Sequence, residues 1–453
     1  MLIINDIIKD GLFWRAEDEE QKIPGKLVVN NGGEVTISLL GRLEKNFGLP
    51  NSKLFRVHGI LQGDQKITLE KCFYRKQNLG RDVLSENVIF SQLAIMDTHC
   101  NVEKLTFKSC SFSVEGIIRW LDIKTFNCMI VQDDELSFCF SINPTESIKD
   151  KIDDNLSIEI QIIVDCPNLP VFEEMLFKQN AYLKILSKKN MSIEEFQSLI
   201  FKITNFLNFS MDKVACINAV DVIFEDNSTH KIYYQSRPFI KDNHPIERHN
   251  MLFNYHDISN NLGVTLKAWL KAYDEIEPAL ALFFYTKSGE NRYLDGRFLS
   301  MVQCLETYHR RTSNETQFSS HTFNELKTTI LENCPKEYKN WLEGRILHGN
   351  EISLKSRIDK ILSQFSEVID INFFNKKFVR TVVSTRNYLT HYDSSSKKIA
   401  ATGSELRQIT QSLEGLFQLI ILRLLGFTDD QLRSLTNRNF ELTNKIPLST
   451  IST

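Results

Sequence analysis

Phe378-Val379-Arg380-Thr381-Val382-Val383-Ser384-Thr385-Arg386-Asn387-Tyr388-Leu389-Thr390-His391-Tyr392-Asp393 is the stretch that sets the class of the fold. It reads as the late part of a helix over 373–389. Outward from it, helical patterns fill 262–285, 293–311, 322–331, 353–365 and 403–425, with an apolar stripe such as Phe298, Val302, Leu305 and Tyr308. This part of the chain is therefore expected to be a helical bundle.

Further towards the N-terminus the pattern mixes. Ser192-Ile193-Glu194-Glu195 is a capping box: the serine oxygen accepts from an orphan N–H while the glutamate reaches back. Apolar residues then recur through Phe196, Leu199, Ile200, Ile203 and Leu207, and strand-like runs follow at 214–224 and 230–235. Before that, 26–165 is a succession of short alternating runs broken by turn residues. In one of them 54–61 and 66–74 flank Gln62-Gly63-Asp64-Gln65, a hairpin signature. Roughly eight to ten strands in an antiparallel sandwich or barrel is the economical reading. Asp165-Cys166-Pro167-Asn168-Leu169-Pro170 breaks the pattern. The expected organisation is multidomain α+β: a β-rich N-terminal domain over 1–168, an α+β middle region over 169–288 and an all-α bundle over 289–453.

Composition limits the functions available. The chain has 453 residues, with 42% hydrophobic and 25% charged, ordinary values for a folded protein with more than one core. A net charge of −3 argues against indiscriminate coating of nucleic acid. The charge is uneven, however: residues 1–170 carry 19 Lys+Arg against 25 Asp+Glu, whereas 290–426 carry 19 against 15. A polyanion should prefer the C-terminal part. Met1-Leu2-Ile3-Ile4-Asn5-Asp6 does not open a signal peptide and no apolar run approaches 18 residues, so the expected location is the cytoplasm, with no membrane partner. Nine cysteines, none spaced Cys-x-x-Cys, suit buried small hydrophobes in a reducing compartment.

Asn387 and His391 are four residues apart, about 6 Å along one helix face, and Arg386 lies about 100° around with a side chain long enough to reach the same place. Those residue types suit RNA cleavage by the substrate's own 2′-hydroxyl. The protein must then remove one proton, stabilise charge on phosphorus and protonate a leaving oxygen, and no metal is obligatory. An imidazole, ordinarily titrating near 6.5, serves as base or acid near neutrality, and a guanidinium holds phosphate oxygens in a fork that stays charged. The structural alternative is a helix end where His391 meets exposed carbonyls and Arg386 forms a surface ion pair.

Arg386-Asn387-x-x-x-His391, followed by a turn and a long apolar helix ending at Leu424-Leu425-Gly426-Phe427, resembles the Arg-x4–6-His signature of HEPN nucleases. The upstream helix Arg297–Arg310 is similar to the first helix of the ApeA-like HEPN subgroup, and the β-rich N-terminal part is similar in layout to the domain that precedes HEPN there. The resemblance implies a metal-independent endoribonuclease of anti-phage defence acting by abortive infection, with Arg386, Asn387 and His391 catalytic and no cofactor. It implies an RNA substrate, tRNA among the candidates, and a homodimer or higher even oligomer through the helical domain with a composite site. It also implies a phage-derived trigger read by the N-terminal domain. The resemblance allows Glu306 to orient Arg386, the other reading being a solvated or ion-paired side chain. His309 and Arg310 either end a helix where positive charge suits the dipole or contact RNA phosphate, and Tyr388 and Tyr392 either pack half-buried or stack on bases.

Two other readings stand beside it. One is a catalytically silent HEPN-like RNA-binding or scaffold module. The other is a toxin of a toxin–antitoxin pair, whose signature places a tyrosine two positions after the histidine; here Tyr392 directly follows His391 and position 393 is Asp. His244, His249 and His256 have no cysteine nearby and fit no metal-ligand spacing, so no metal site is expected.

Overall fold

The computed structural model describes residues 1–43, 54–77, 86–132, 136–143, 145–166, 176–236, 246–289, 293–392 and 394–449. They divide into two compact units, Met1–Lys267 and Ala268–Thr453.

The first unit is β-rich. Its strands are β1 (Ile7–Arg15), β2 (Ile23–Val29), β3 (Val35–Leu40), β4 (Phe55–Leu61), β5 (Gln65–Lys76), β6 (Glu86–Ser91), β7 (Leu93–Met96), β8 (Thr106–Val114), β9 (Phe126–Gln132), β10 (Leu136–Ile142), β11 (Ile148–Lys151), β12 (Leu156–Asp165), β13 (Lys178–Ser192), β14 (Ile217–Ile223) and β15 (Thr229–Tyr233). The ring β1-β2-β3-β6-β5-β4 closes on itself because β5 pairs with β6 as well as β4 and β1 pairs with β4. It is a six-stranded barrel among the described residues. Phe13, Leu27, Val29, Ile37, Val57, Ile67 and Leu69 fill it. Closure removes the edges that an open sheet would leave unpaired.

The hairpin expected around residue 63 is β4–β5: Leu61 faces Gln65 across a loop in which Gly63 and Asp64 take positive φ. Strand β1 lies ahead of the region in which the sequence shows alternation. Its Ile8 and Leu12 remain exposed, so its burial does not follow its hydropathy. Gly11 on this strand is required, since a Cβ there would stand 2.6 Å from the Ile60 carbonyl oxygen on β4.

On its other edge β5 also pairs with β7, and from there β15, β14, β8, β13, β12 and β11 continue the sheet. The segment that the sequence sets apart as a middle region thus supplies β13, β14 and β15 to a sheet begun by residues before 166. The change of period near residue 192 marks α2 (Ile193–Ser210), which packs on β8 and β13 after α1 (Ile117–Leu121). The capping box forms as expected: Ser192 Oγ accepts from Glu195 N at 3.3 Å, and Glu195 Oε2 accepts from Ser192 N at 2.7 Å. The interdomain break expected at 165–170 falls mostly outside the described residues.

After α3 (Tyr255–Ile258), helix α4 (Leu262–Lys287) carries a kink at Ile276, whose φ/ψ are non-helical two residues before Pro278. The second unit continues with α5 (Leu294–Thr312), α6 (Ser320–Glu332), α7 (Lys339–Ile346), α8 (Leu354–Gln364), α9 (Lys376–His391), α10 (Ser394–Lys397), α11 (Gly403–Leu424), α12 (Asp429–Arg438) and α13 (Phe440–Lys445). Helix α5 packs against α8, α9 and α11. Phe298, Met301 and Leu305 of α5 and Leu413, Leu416 and Phe417 of α11 are fully buried, each such side chain contributing roughly 1.5–3 kcal/mol. Five of the nine cysteines, Cys72, Cys100, Cys110, Cys216 and Cys304, are buried as expected; Cys166 is exposed and Cys334 half-buried.

Candidate functional site

Helix α9 starts where the Asn375 side chain accepts from the N–H groups of Lys377 and Phe378. Phe378, Val379, Thr381, Val382 and Thr385 form its buried face, and it packs on α5, α8 and the short α10. It stops at Tyr392, whose φ of 51° is left-handed and whose N–H donates to the Tyr388 carbonyl at 2.6 Å. Buried Thr385 fastens this end: its Oγ1 accepts from the N–H of Ala401, itself buried, at 2.8 Å.

The motif sits on that fastened end. Arg386 and Asn387 are half-buried and His391 is exposed. The Arg386 guanidinium turns to Asn387, Nη1 donating to Oδ1 at 3.2 Å, which carries its charge around the helix towards the face of Asn387 and His391. Among the described residues Arg386 forms no salt bridge to a carboxylate, so the surface ion pair is not what occupies it. Tyr388 is half-buried and Tyr392 is 71% exposed, their rings edge-to-face at 5.7 Å. A guanidinium, an amide, an imidazole and two phenol rings therefore share one helix end.

The α5 candidates belong to a different network. His309 is only 4% exposed, with Nδ1 3.3 Å from Arg357 Nη1. Burial, then the Arg357 charge, pushes its imidazole below the usual range. A ring so enclosed is not a surface phosphate contact. Arg310 is exposed but held by Glu306 at 3.1 Å and Glu351 at 2.5 Å, so Glu306 engages Arg310 rather than Arg386. Arg357, which sequence reasoning missed, left a signal: it interrupts the apolar spacing Leu354, Ile358, Ile361 of α8. Thr385 left none, because its partner lies across a turn.

Comparison with known families assigns both parts of the chain. Residues 9–269 match the ApeA N-terminal domain 1 model and residues 299–431 match the Apea-like HEPN model. The chain belongs to the ApeA-like HEPN family. No curated protein and no solved structure matches it. The HEPN match takes in α5 from residue 299 onward, the motif of α9 and all of α11, the elements built into one core above.

Elsewhere in this HEPN protein, no group of three or more His, Cys, Asp or Glu among the described residues is gathered as for a metal ion. His249 and His256 are exposed, the latter beside Asp122, and His244 lies outside the described residues. No helix of the described residues is long and apolar enough to cross a membrane. The ApeA N-terminal unit carries an open cleft of about 470 Å³ lined by Phe90, Gln92, Gln197, Phe201, Tyr234 and Gln235.

Proposed function

We propose that the HEPN unit is a metal-independent endoribonuclease in which Arg386, Asn387 and His391 act on one phosphodiester. The observation that carries this reading is the Arg386 guanidinium bent onto Asn387 at the helix end that exposes His391. In the reaction, His391 removes the proton from a 2′-hydroxyl, whose oxygen forms a bond to the adjacent phosphorus. Arg386 holds the non-bridging oxygens, Asn387 positions the phosphate, and the bond from phosphorus to the 5′-oxygen breaks. The departing oxygen needs a proton from the far side of the phosphorus. One chain offers one imidazole in this motif, so a two-fold dimer that faces two motifs across a cleft supplies both acid and base.

Membership of the ApeA-like family supports a role in anti-phage defence, the cut RNA, tRNA among the candidates, arresting the infected cell in the cytoplasm. By the same family analogy the N-terminal unit reads a phage product and releases the nuclease, and an open polar-aromatic cleft in that unit supports a ligand-binding role for it.

The test is purified full-length chain incubated with RNA in excess EDTA. Wild type should cut, leaving 2′,3′-cyclic phosphate and 5′-hydroxyl ends, while His391→Ala and Arg386→Ala should not. A strict magnesium requirement, or mutants that cut at the wild-type rate, overturns the assignment. Light scattering should give an even oligomer for the active species.

A further inference from the structure

Helix α9 carries Lys376, Lys377, Arg380 and Arg386 and no Asp or Glu in its whole length. Among the described residues none of these four cations forms a salt bridge. Two helices it packs against behave otherwise: α8 pairs Lys355 with Asp359 at 2.8 Å, and α5 pairs Arg310 with Glu306 at 3.1 Å.

The positions are ordered as well. At about 100° per residue, Lys376, Arg380, Asn387 and His391 fall within about 60° of one another. That stripe lies on the side opposite the buried face of Phe378, Val379, Val382 and Thr385, and Lys376 and Arg380 are exposed along it. From Lys376 to His391 it runs about 22 Å at 1.5 Å per residue. It also works against the helix. Lys376 and Lys377 occupy the first turn, where the macrodipole disfavours positive charge, and no acidic residue compensates them there. A local rule broken without an internal partner is what an external anion would repair.

We propose that this outward face of α9 is a track for the sugar-phosphate backbone, on which Lys376 and Arg380 hold phosphates of the strand that runs on from the one at Arg386 and His391. The track rests on the nuclease reading for its end point and not for its charge. Phosphate contacts of this kind fix the register of a strand and carry no base specificity.

The experiment uses the full chain with His391→Ala, so that RNA stays intact, and a fluorescent single-stranded RNA oligonucleotide titrated at several KCl concentrations. Adding Lys376→Gln and Arg380→Gln together should weaken binding roughly tenfold at low salt and flatten the slope of log K against log salt by about 0.7 per lost contact. Arg380→Lys should keep the slope. Lys355→Gln, which removes a cation already paired with Asp359, should leave both quantities unchanged. Thermal melting confirms that each variant is folded. Unchanged affinity and slope in the double variant, or an equal loss in Lys355→Gln, overturns the track. If the chain with His391 intact leaves RNA uncut yet binds it with the expected slope, the nuclease reading falls and the track stands. If that chain cuts RNA and the double variant binds as well as its parent, the track falls and the nuclease stands.

Discussion

The helical unit holds two clusters of charge that the protein treats in opposite ways. On α11, Glu414 is 3% exposed and accepts from Lys287 at 2.9 Å and Lys445 at 2.8 Å, with Arg297 3.8 Å away. Burial pushes its carboxyl up, but the charges of Lys287 and Lys445 outweigh burial and hold it at about 2. On α9, Arg386 has an amide for a partner and His391 faces solvent. The first cluster is closed and can only hold helices together. The second leaves its donors available, as a group meant for an outside anion must.

Substitution should separate the two sharply. His391→Ala or Arg386→Ala should lower the RNA cleavage rate by roughly 10²–10⁴-fold. Neither side chain is in the buried stripe of α9, so the melting temperature should hardly move. A variant that loses cleavage only because it unfolds would break the comparison.

Glu414→Gln should do the reverse at the level of stability. It removes the carboxylate that Lys287 and Lys445 share, and breaking a buried pair from one side costs about 3–5 kcal/mol, readable as a drop in the urea midpoint. The wild type should also be acid-sensitive here. Because the folded carboxyl titrates at about 2, below its ordinary 4.5, its contribution is present above pH 4.5 and lost as pH falls towards 2. Comparing urea midpoints at pH 7 and pH 3 should show a smaller fall in Glu414→Gln than in the wild type.

Thr385→Val sits between the two clusters, in sequence next to Arg386 but buried like Glu414. The change leaves the Ala401 N–H without its acceptor in a buried place and should cost about 1–3 kcal/mol. Since this bond fastens the end of α9, cleavage should fall too, with Thr385→Ser restoring both stability and rate. Loss of stability with full activity would mean that the motif does not depend on that anchor.

How far the sequence carries is visible in the same residues. Local signals read true: the Ser192 capping box, the turn at Gly63 and Asp64, and the helix that carries Arg386 and His391 each depend on neighbours within a few positions. What was not legible depends on distant partners. Barrel closure requires β5 to meet β6 and β1 to meet β4, pairings that no alternation pattern specifies. His309 reads as a cation at a helix end until Arg357, 48 residues on, is found against its ring. Glu414 carries no signal in the sequence, because an acid in a long apolar helix has meaning only once Lys287 and Lys445 are beside it.

Asn387→Ala is the mildest test and bears on how the open cluster is arranged. The Asn387 amide oxygen holds the Arg386 guanidinium at 3.2 Å, and its side chain is half-buried and makes no other hydrogen bond among the described residues. Removing it should change stability by no more than about 0.5 kcal/mol. The guanidinium should then spend less time on the face of His391, and a charged donor that must be repositioned for each turnover costs rate; roughly a tenfold fall, about 1.4 kcal/mol in the barrier, is expected. Asn387→Asp separates positioning from phosphate contact: a carboxylate would hold Arg386 more firmly yet repel the phosphate. A rate below that of Asn387→Ala would place the amide against the RNA itself, and a rate near wild type would leave Asn387 as a holder of Arg386 alone.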